Sequence, residues 1–185
     1  WNEQTLDPDL IARFSAAPGV DSVNTYRRVS VESPTGRVQL VALGLAAGRY
    51  SSYRFIEGVP GTIWPAFEDG QAIIISEPYA YHHKLQLEDV VHLRTDRGQH
   101  AFRVVGIFAD YGSDQGLVML SHNTYTQFWE DRGISSLGLY VTPEQDVATM
   151  VTSLRGLVDA EQEVLIGSNR ALRTASLAIF DRTFT

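Results

Sequence analysis

Histidine is the residue type in this 185-residue chain best suited to metal binding or proton transfer, and the chain contains five. His82 and His83 are adjacent, so on a helix they point about 100° apart and cannot share a metal ion well. The hairpin register predicted below places His92 and His100 on opposite faces, and His122 stands alone. We therefore interpret the histidines as solvated side chains and predict no metal site.

A short acidic segment is the other candidate for cation binding. Asp110, Ser113 and Asp114 could supply oxygen ligands to calcium, but an EF-hand needs more carboxylates and a closing glutamate. A polar turn is the simpler interpretation. The chain also lacks a Gly-x-Ser-x-Gly elbow, a phosphate-binding glycine loop and a dinucleotide fingerprint. We predict no catalytic residue and no cofactor, and expect a protein that is not an enzyme.

Aromatic residues are concentrated where the hydrophobic periodicity stops, between residues 44 and 70. A structureless loop of that length is uncommon inside a compact domain. We interpret it as a crossover into a second subdomain that is held in place by its aromatic side chains. The alternative is a loop that binds a ligand or partner. The candidate contact residues are Tyr50, Tyr53, Phe55, Trp64 and Phe67.

Composition limits the class of protein. The net charge of −7 argues against a nucleic-acid surface, which needs clustered Lys and Arg. No apolar run approaches the roughly 18 residues that a membrane helix requires. The absence of cysteine excludes disulfides and thiolate metal sites. Because the chain begins with Trp1 rather than Met, we expect it to be a piece of a longer protein.

The stretch from residue 71 to 120 has the clearest order. The run 72–75 predicts a strand buried on both faces, and Ser76 before Pro78 predicts the start of a short helix. Two strands, 90–95 and 100–108, follow around a turn. If Arg97 and Gly98 form its tip, Leu93 lies opposite Phe102 and apolar side chains share one face.

The outer segments add helices and strands in a regular order. Asp7 and Pro8 begin a helix, and alternating residues then predict a hairpin over 23–42. The later predicted elements are a strand over 117–120, a helix capped by Ser121, a strand over 137–141, a helix beginning at Thr142-Pro143, a strand over 163–166, and a last helix capped by Ser168 with Leu172, Ala175 and Ile179 on one face.

This order predicts an α+β fold. The outer elements resemble a ferredoxin-like β-α-β-β-α-β sheet whose first strand is missing, and we expect that strand to precede Trp1. A porter-type α/β subdomain would comprise residues 1–50 and 134–185. An inserted, small β-rich subdomain would comprise residues 51–133.

Three segments together resemble a known family. Residues 73–78, 84–91 and 102–108 are similar to the I-S-E, K-L-G-L-K-x-G-D-x-V and F-x-V-V-G-I motifs of the extracytoplasmic domains of FtsX-like, MacB-like ABC transporter permeases. The tail 168–184 resembles the segment that leads into a membrane helix in those permeases. One difference is that the family's Gly-Asp turn is Glu88-Asp89 here. Because glycine permits a positive φ, we expect an altered turn.

The resemblance implies a non-catalytic, extracytoplasmic domain of a membrane-embedded bacterial permease in the inner membrane. Such permeases couple ATP hydrolysis by a cytoplasmic ATP-binding subunit to export, lipoprotein extraction or signalling. Possible direct partners are a periplasmic protein or a lipidic substrate. The alternative is a free-standing α/β domain that binds or hydrolyses a ligand at the aromatic loop, residues 50–67. Apolar segments flanking the chain in the parent gene would distinguish the two.

Overall fold

The computed structural model describes residues 1–47, 50, 53–158, 164–168 and 176–181. The elements are α1 (Pro8–Ser15), β1 (Val20–Ser33), β2 (Gly36–Gly44), β3 (Phe55–Glu57), α2 (Pro60–Asp69), β4 (Ile73–Ser76), α3 (Glu77–His83), β5 (Val90–Thr95), β6 (Gly98–Phe108), β7 (Val118–Ser121), α4 (His122–Phe128), β8 (Ser136–Val141), α5 (Val147–Arg155), β9 (Val164–Ser168) and β10 (Ser176–Asp181).

The chain divides into two compact units. Unit 1 comprises residue 1 with 28–132, and unit 2 comprises 2–27 with 133–185. The first boundary between the units therefore falls between Arg27 and Arg28. The sequence analysis predicted subdomains of residues 1–50 with 134–185 and of residues 51–133, and so placed this boundary after Tyr50. The difference arises because β1 is a single strand of 14 residues whose two halves belong to different units.

Unit 1 contains a mixed sheet in the order β3-β6-β4-β7-β2, followed by the second half of β1. β4 lies between β6, to which it is parallel, and β7, to which it is antiparallel. All four residues of β4 are buried, which confirms the strand buried on both faces. Apolar side chains from β1, β2, β4, β5, β6 and β7 pack with those of α3 and α4 in one core.

Unit 2 contains the strand order β1-β8-β10-β9 with α1 and α5. The predicted start of α1 is confirmed, since the Asp7 carboxylate accepts a hydrogen bond from the Asp9 backbone N–H at 2.8 Å. Phe14 of α1 and Leu154 of α5 are fully buried in a core with strand residues such as Leu139. This unit therefore buries one apolar stripe of each helix.

Two helix predictions in unit 2 are wrong. Ile179, assigned to a last helix, lies in β10, which pairs with both β8 and β9; Leu172 and Ala175 fall outside the described residues. A short apolar segment fits either structure, and pairing on both sides selects the strand. α5 begins at Val147 rather than at Thr142-Pro143, because Asp146 caps it by accepting from the Thr149 N–H at 3.1 Å.

The β5–β6 hairpin has a different register from the predicted one. Leu93 lies opposite His100 and Val91 opposite Phe102, so the pairing is shifted by two residues. A shift of two leaves every side chain on its predicted face, because side chains alternate with a period of two. The prediction of apolar residues on one face therefore holds, although the paired residues were wrong.

The predicted α+β class is confirmed by this mixture of sheet and helix. The helix after Ser121 is also confirmed, since the Ser121 hydroxyl accepts from the Thr124 N–H at 3.0 Å. None of the helices in the described part of the chain has the length and apolar character needed to cross a bilayer.

Candidate partner-contact site

The aromatic crossover contains regular structure that the sequence analysis missed. β3 and the ten-residue helix α2 lie within it. The helix begins with Pro60 at its first position, which is a favourable place for proline. Pro65 and the nearby glycines obscured it, because they lower helix propensity. The spacing of Ile63, Trp64 and Phe67 on one buried face was the available signal.

The structure brings all five predicted contact residues together, with Trp64 at the centre. Its ring centroid lies 4.7 Å from that of Tyr50 and 5.4 Å from that of Tyr53. The corresponding distances are 5.5 Å to Phe55 and 5.4 Å to Phe67. Tilted and edge-to-face pairs at these distances are favourable aromatic contacts. We call these five residues the aromatic cluster.

Burial divides the aromatic cluster into two parts. Phe67 is fully buried and Trp64 is only 8% exposed, so both are packing residues. Tyr50, Tyr53 and Phe55 are half-buried and so remain partly accessible to solvent. Only these three can therefore touch a partner without a rearrangement of the fold.

The surface part of the aromatic cluster lies beside carboxylates. The Tyr50 hydroxyl donates a hydrogen bond to Glu68 Oε1 at 3.5 Å. Burial raises the pKa of Tyr50, and the negative charges of Glu68 and Asp69 raise it further. Burial also raises the pKa of Glu68, with the charge of Asp69 acting in the same direction. Tyr50 therefore remains a neutral hydrogen-bonding group at physiological pH.

The adjacent histidines face different surroundings, as predicted. His82 Nε2 lies 2.8 Å from the carbonyl oxygen of Asp114. The His83 ring lies against the Tyr79 ring, with centroids 4.2 Å apart. Burial lowers the pKa of His83, and its neighbour His82 lowers it further. Burial raises the pKa of Tyr79.

The other histidines are also separated. His100 packs on the Phe128 ring at 4.3 Å, whereas His92 is exposed on the other face of the hairpin. Burial lowers the pKa of His122, and the charge of Arg132 acts in the same direction. Within the described residues, no three or more histidines and carboxylates lie close enough to hold a metal ion.

The acidic segment forms a turn. Asp110 Oδ1 accepts from the Gly112 N–H at 2.9 Å, and the Gly116 N–H donates to the Ser113 carbonyl at 3.1 Å. The carboxylate of Asp110 is thus used to stabilise the loop, as the polar-turn interpretation expects.

A cavity beside β5 was not predicted from the sequence. Its volume is about 150 Å³, a size that accommodates one benzene-sized group. It is open to solvent on one side and is lined by three separate segments of the chain, so no local sequence pattern could indicate it. We call it the β5 cavity, and it is lined by Ser33, Pro34, Thr35, Tyr79, His83, Leu85, Val90, Val91 and His92.

The chain connecting α3 to β5, which borders this cavity, has two residues in the left-handed region. Lys84 has φ 52° and Glu88 has φ 74°. The Glu88 N–H donates to the Val104 carbonyl and the Val104 N–H donates to the Asp89 carbonyl, both at 2.8 Å. Glu88 and Asp89 thus lie opposite the single residue Val104, which is the arrangement of a β-bulge. In bulges of this type the first residue, here Glu88, is usually glycine. Glu88 itself adopts the positive φ that a glycine would permit, and a difference from the family's turn stays a prediction.

Solved structures identify the class of fold. The chain matches the extracellular domain of the ABC-type transporter YknZ from Gram-positive bacteria with a TM-score of 0.57, at 13% identity over 80% of each chain. It matches the periplasmic region of MacB from Actinobacillus actinomycetemcomitans with a TM-score of 0.56, at 13% identity over 83% of this chain and 73% of that one. The fold is therefore that of a MacB-like extracytoplasmic domain.

A sequence relative supports the same class. Over 184 residues, 97% of this chain, it is 32% identical to the uncharacterized ABC transporter permease protein Rv0987 of Mycobacterium tuberculosis. The chain spans 22% of the length of that protein. No family model matches the chain. The sequence and structure matches together confirm the resemblance to MacB-like domains of ABC transporter permeases.

Proposed function

We propose that this chain is a non-catalytic, extracytoplasmic domain of a bacterial FtsX-like, MacB-like permease, and that it transmits mechanical motion. In this role, ATP hydrolysis by a cytoplasmic subunit moves the parent permease, and the domain passes that motion to a substrate or partner. Export, lipoprotein or lipid handling, and transmembrane signalling are the processes that such motion would drive. The domain would contact the ATP-binding subunit only through the rest of the permease.

One observation carries this proposal. Nearly the whole chain aligns with part of a permease at 32% identity, and the same chain has the fold of extracytoplasmic transporter domains. A domain that covers 22% of a permease is expected to work as a part of it.

The aromatic cluster is our candidate for direct contact with a periplasmic protein or a lipidic substrate. Tyr50, Tyr53 and Phe55 would supply ring edges, and Trp64 and Phe67 would hold them in place. Two neighbouring apolar side chains add to the surface: Ile56 is 44% exposed and Val59 is 65% exposed. Exposed apolar residues next to aromatic rings are typical of interaction surfaces.

The motion can be tested with spin labels, because these 185 residues contain no cysteine that would compete for the label, and any cysteine elsewhere in the parent permease would first be changed to serine. The exposed residues Asn123 of unit 1 and Ser153 of unit 2 would be changed to cysteine in the parent permease with its ATP-binding subunit, in nanodiscs. We expect the distance distribution between the labels to change between the ADP and ATP states. A control pair within unit 1, Asn123→Cys with Gln99→Cys, should show no change.

The proposal predicts that inter-unit distances depend on nucleotide in an ATPase-active complex. Identical distributions in both states, in a complex that still hydrolyses ATP, would exclude mechanical transmission between the units. Catalysis is tested separately, by incubating the domain with generic ester, phosphoester and peptide substrates. Turnover above the buffer rate would overturn the non-catalytic assignment.

A further inference from the structure

The edge of β5 that faces away from β6 is a second candidate for a binding surface. Among the described strands, β5 pairs only with β6. At the bulge the Val104 N–H donates to the Asp89 carbonyl, so the carbonyl of Asp89 points toward β6. In an antiparallel ladder every second residue directs its backbone N–H and C=O toward the partner strand, so from here Val91, Leu93 and Thr95 face β6. The backbone groups of Val90, His92 and Arg94 therefore point away from β6. Such an edge is a template on which an extended peptide can add a strand.

The β5 cavity opens beside this edge. Val90 and His92 line one side of the cavity, and the β1–β2 turn at 33–35 lines another. Val90 is 47% exposed. Apolar walls from Pro34 and Leu85 and a volume of about 150 Å³ suit one apolar side chain. An added strand would place alternate side chains on the cavity side, so a single anchor can enter it.

The β5–β6 hairpin and the end of α3 carry positive side chains in a chain whose net charge is −7. Within the described residues, no carboxylate forms an ion pair with Lys84, Arg94 or Arg97. Nearby acids are already engaged: Glu88 pairs with Arg103 at 3.0 Å. The edge is therefore flanked by cations that lack intramolecular partners.

The turns before and after β5 each contain an aspartate whose carboxylate accepts a hydrogen bond from a backbone N–H. Asp89 Oδ2 accepts from the Gln86 N–H at 2.8 Å. Asp96 Oδ2 accepts from the Glu130 N–H at 2.7 Å. These hydrogen bonds fix both carboxylates in their turns. Both carboxylates keep their charge, but with Glu88 and Arg103 paired, the three cations Lys84, Arg94 and Arg97 outnumber these two acids. This small excess of positive charge favours an acidic partner.

We propose that the free edge of β5 binds an extended, acidic segment of a partner protein as an additional strand, with one apolar side chain in the β5 cavity. Unpaired strand amides and a cavity for one side chain are features that recognise a polypeptide. A lipid headgroup requires neither. The proposal is independent of motion transmission, because binding is measured on the isolated 185-residue chain.

The test uses a dye-labelled octapeptide of alternating glutamate and leucine. We expect fluorescence anisotropy to give a Kd on the order of 10–100 μM, in the range of a single added strand. The same peptide with lysine in place of glutamate should bind at least about tenfold more weakly. Hydrogen exchange at the backbone amides of Val90, His92 and Arg94 should slow when the acidic peptide binds.

Two variants separate the contribution of positive charge to peptide binding from the contribution of the cavity. Arg94→Glu should weaken binding by about tenfold or more, whereas Arg155→Glu, an equal charge change on exposed α5, should leave it unchanged. Thr35→Trp places a large ring at the cavity mouth and should abolish binding, and Thr35→Ser is its matched control. Circular dichroism would establish that each variant is folded.

Three outcomes would overturn the proposal. One is no binding of the acidic peptide, and another is binding that neither Arg94→Glu nor Thr35→Trp affects. The third is binding to phosphatidylglycerol vesicles that needs Arg94 but is insensitive to Thr35→Trp, with no binding of the peptide. That result would assign the surface to anionic lipid headgroups.

Discussion

The aromatic cluster and the β5 cavity both belong to unit 1, but aromatic side chains fill the space in the first and leave space open in the second. In the aromatic cluster, Trp64 fills the space between four other rings and is only 8% exposed. At the β5 cavity, Tyr79 and His83 leave a space of about 150 Å³. Aromatic residues therefore do not by themselves indicate a binding site; the site depends on whether neighbouring segments fill the space between them.

The strongest test of this comparison is to remove the ring at the centre of the aromatic cluster. We expect Trp64→Ala to lower the free energy of unfolding by about 3–5 kcal/mol, because it leaves a large cavity in the core. Urea unfolding followed by circular dichroism measures this. Tyr81→Ala, at a side chain that is 81% exposed, should change stability by less than about 0.5 kcal/mol. Equal small effects would show that Trp64 is not a packing residue.

Tyr79, which lines the β5 cavity, is closely approached from another side of its backbone by Gly116. Gly116 has φ 75°, and an added Cβ would clash with the Tyr79 backbone nitrogen. Gly116→Ala should therefore destabilise the chain by about 2–4 kcal/mol, from both strain and overlap. Gly36→Ala is the control, since φ is 117° there but no atom lies within 4 Å. It should cost only the strain, about 1–2 kcal/mol.

Glu88, in the segment that borders the β5 cavity, allows a smaller test, in which introducing a glycine is expected to stabilise the chain. We expect Glu88→Gly to be about 1 kcal/mol more stable than Glu88→Gln, because glycine adopts the positive φ without strain. Both variants lose the ion pair with Arg103, so the difference between their free energies of unfolding measures the backbone strain at residue 88. Thermal unfolding of the two variants at pH 7 would show it. If Glu88→Gln equalled or exceeded Glu88→Gly in stability, the bulge would not be strained.

The smallest effect concerns protonation inside the β5 cavity. Because burial lowers the pKa of His83 below its ordinary value of 6.5, the unfolded chain binds a proton there more readily than the folded chain. Stability from His83 is therefore present above about pH 6.5 and is lost as the pH falls toward the folded pKa. In His83→Gln, the loss of stability between pH 7.5 and 5.5 should be smaller. Thr35→Ser, which changes another residue lining the cavity but no titratable group, should keep the wild-type loss.

Local patterns in the sequence predicted much of the fold. Capping by Asp7 and Ser121 located α1 and α4, and the apolar run 73–75 located β4, because each signal lies within a few residues. α2 was missed because Pro65 interrupts an otherwise helical stretch. The face of each hairpin residue was predictable from alternation, but the register was not, since it depends on the turn.

The candidate sites divide in the same way. The aromatic cluster could be located because its five members lie close together in sequence. Its division into buried and surface rings depends on α2 and could not be predicted. The β5 cavity could not be predicted at all, because it is formed by residues 33–35, 79–85 and 90–92 only after folding. The strain at Glu88 was nearly predictable, since the family motif has glycine there.

The parallel pairing of β2 with β7 has a consequence for how the chain folds. Leu40 lies beside Val118 in the finished sheet, so β2 gains this neighbour only after most of unit 1 has been synthesised. Contacts between residues so distant in sequence slow folding, because a long loop must close first. Until then the apolar residues 40–43 have an unpaired edge that could associate with other chains. We expect a chaperone that binds extended apolar segments to protect this strand most in the nascent chain.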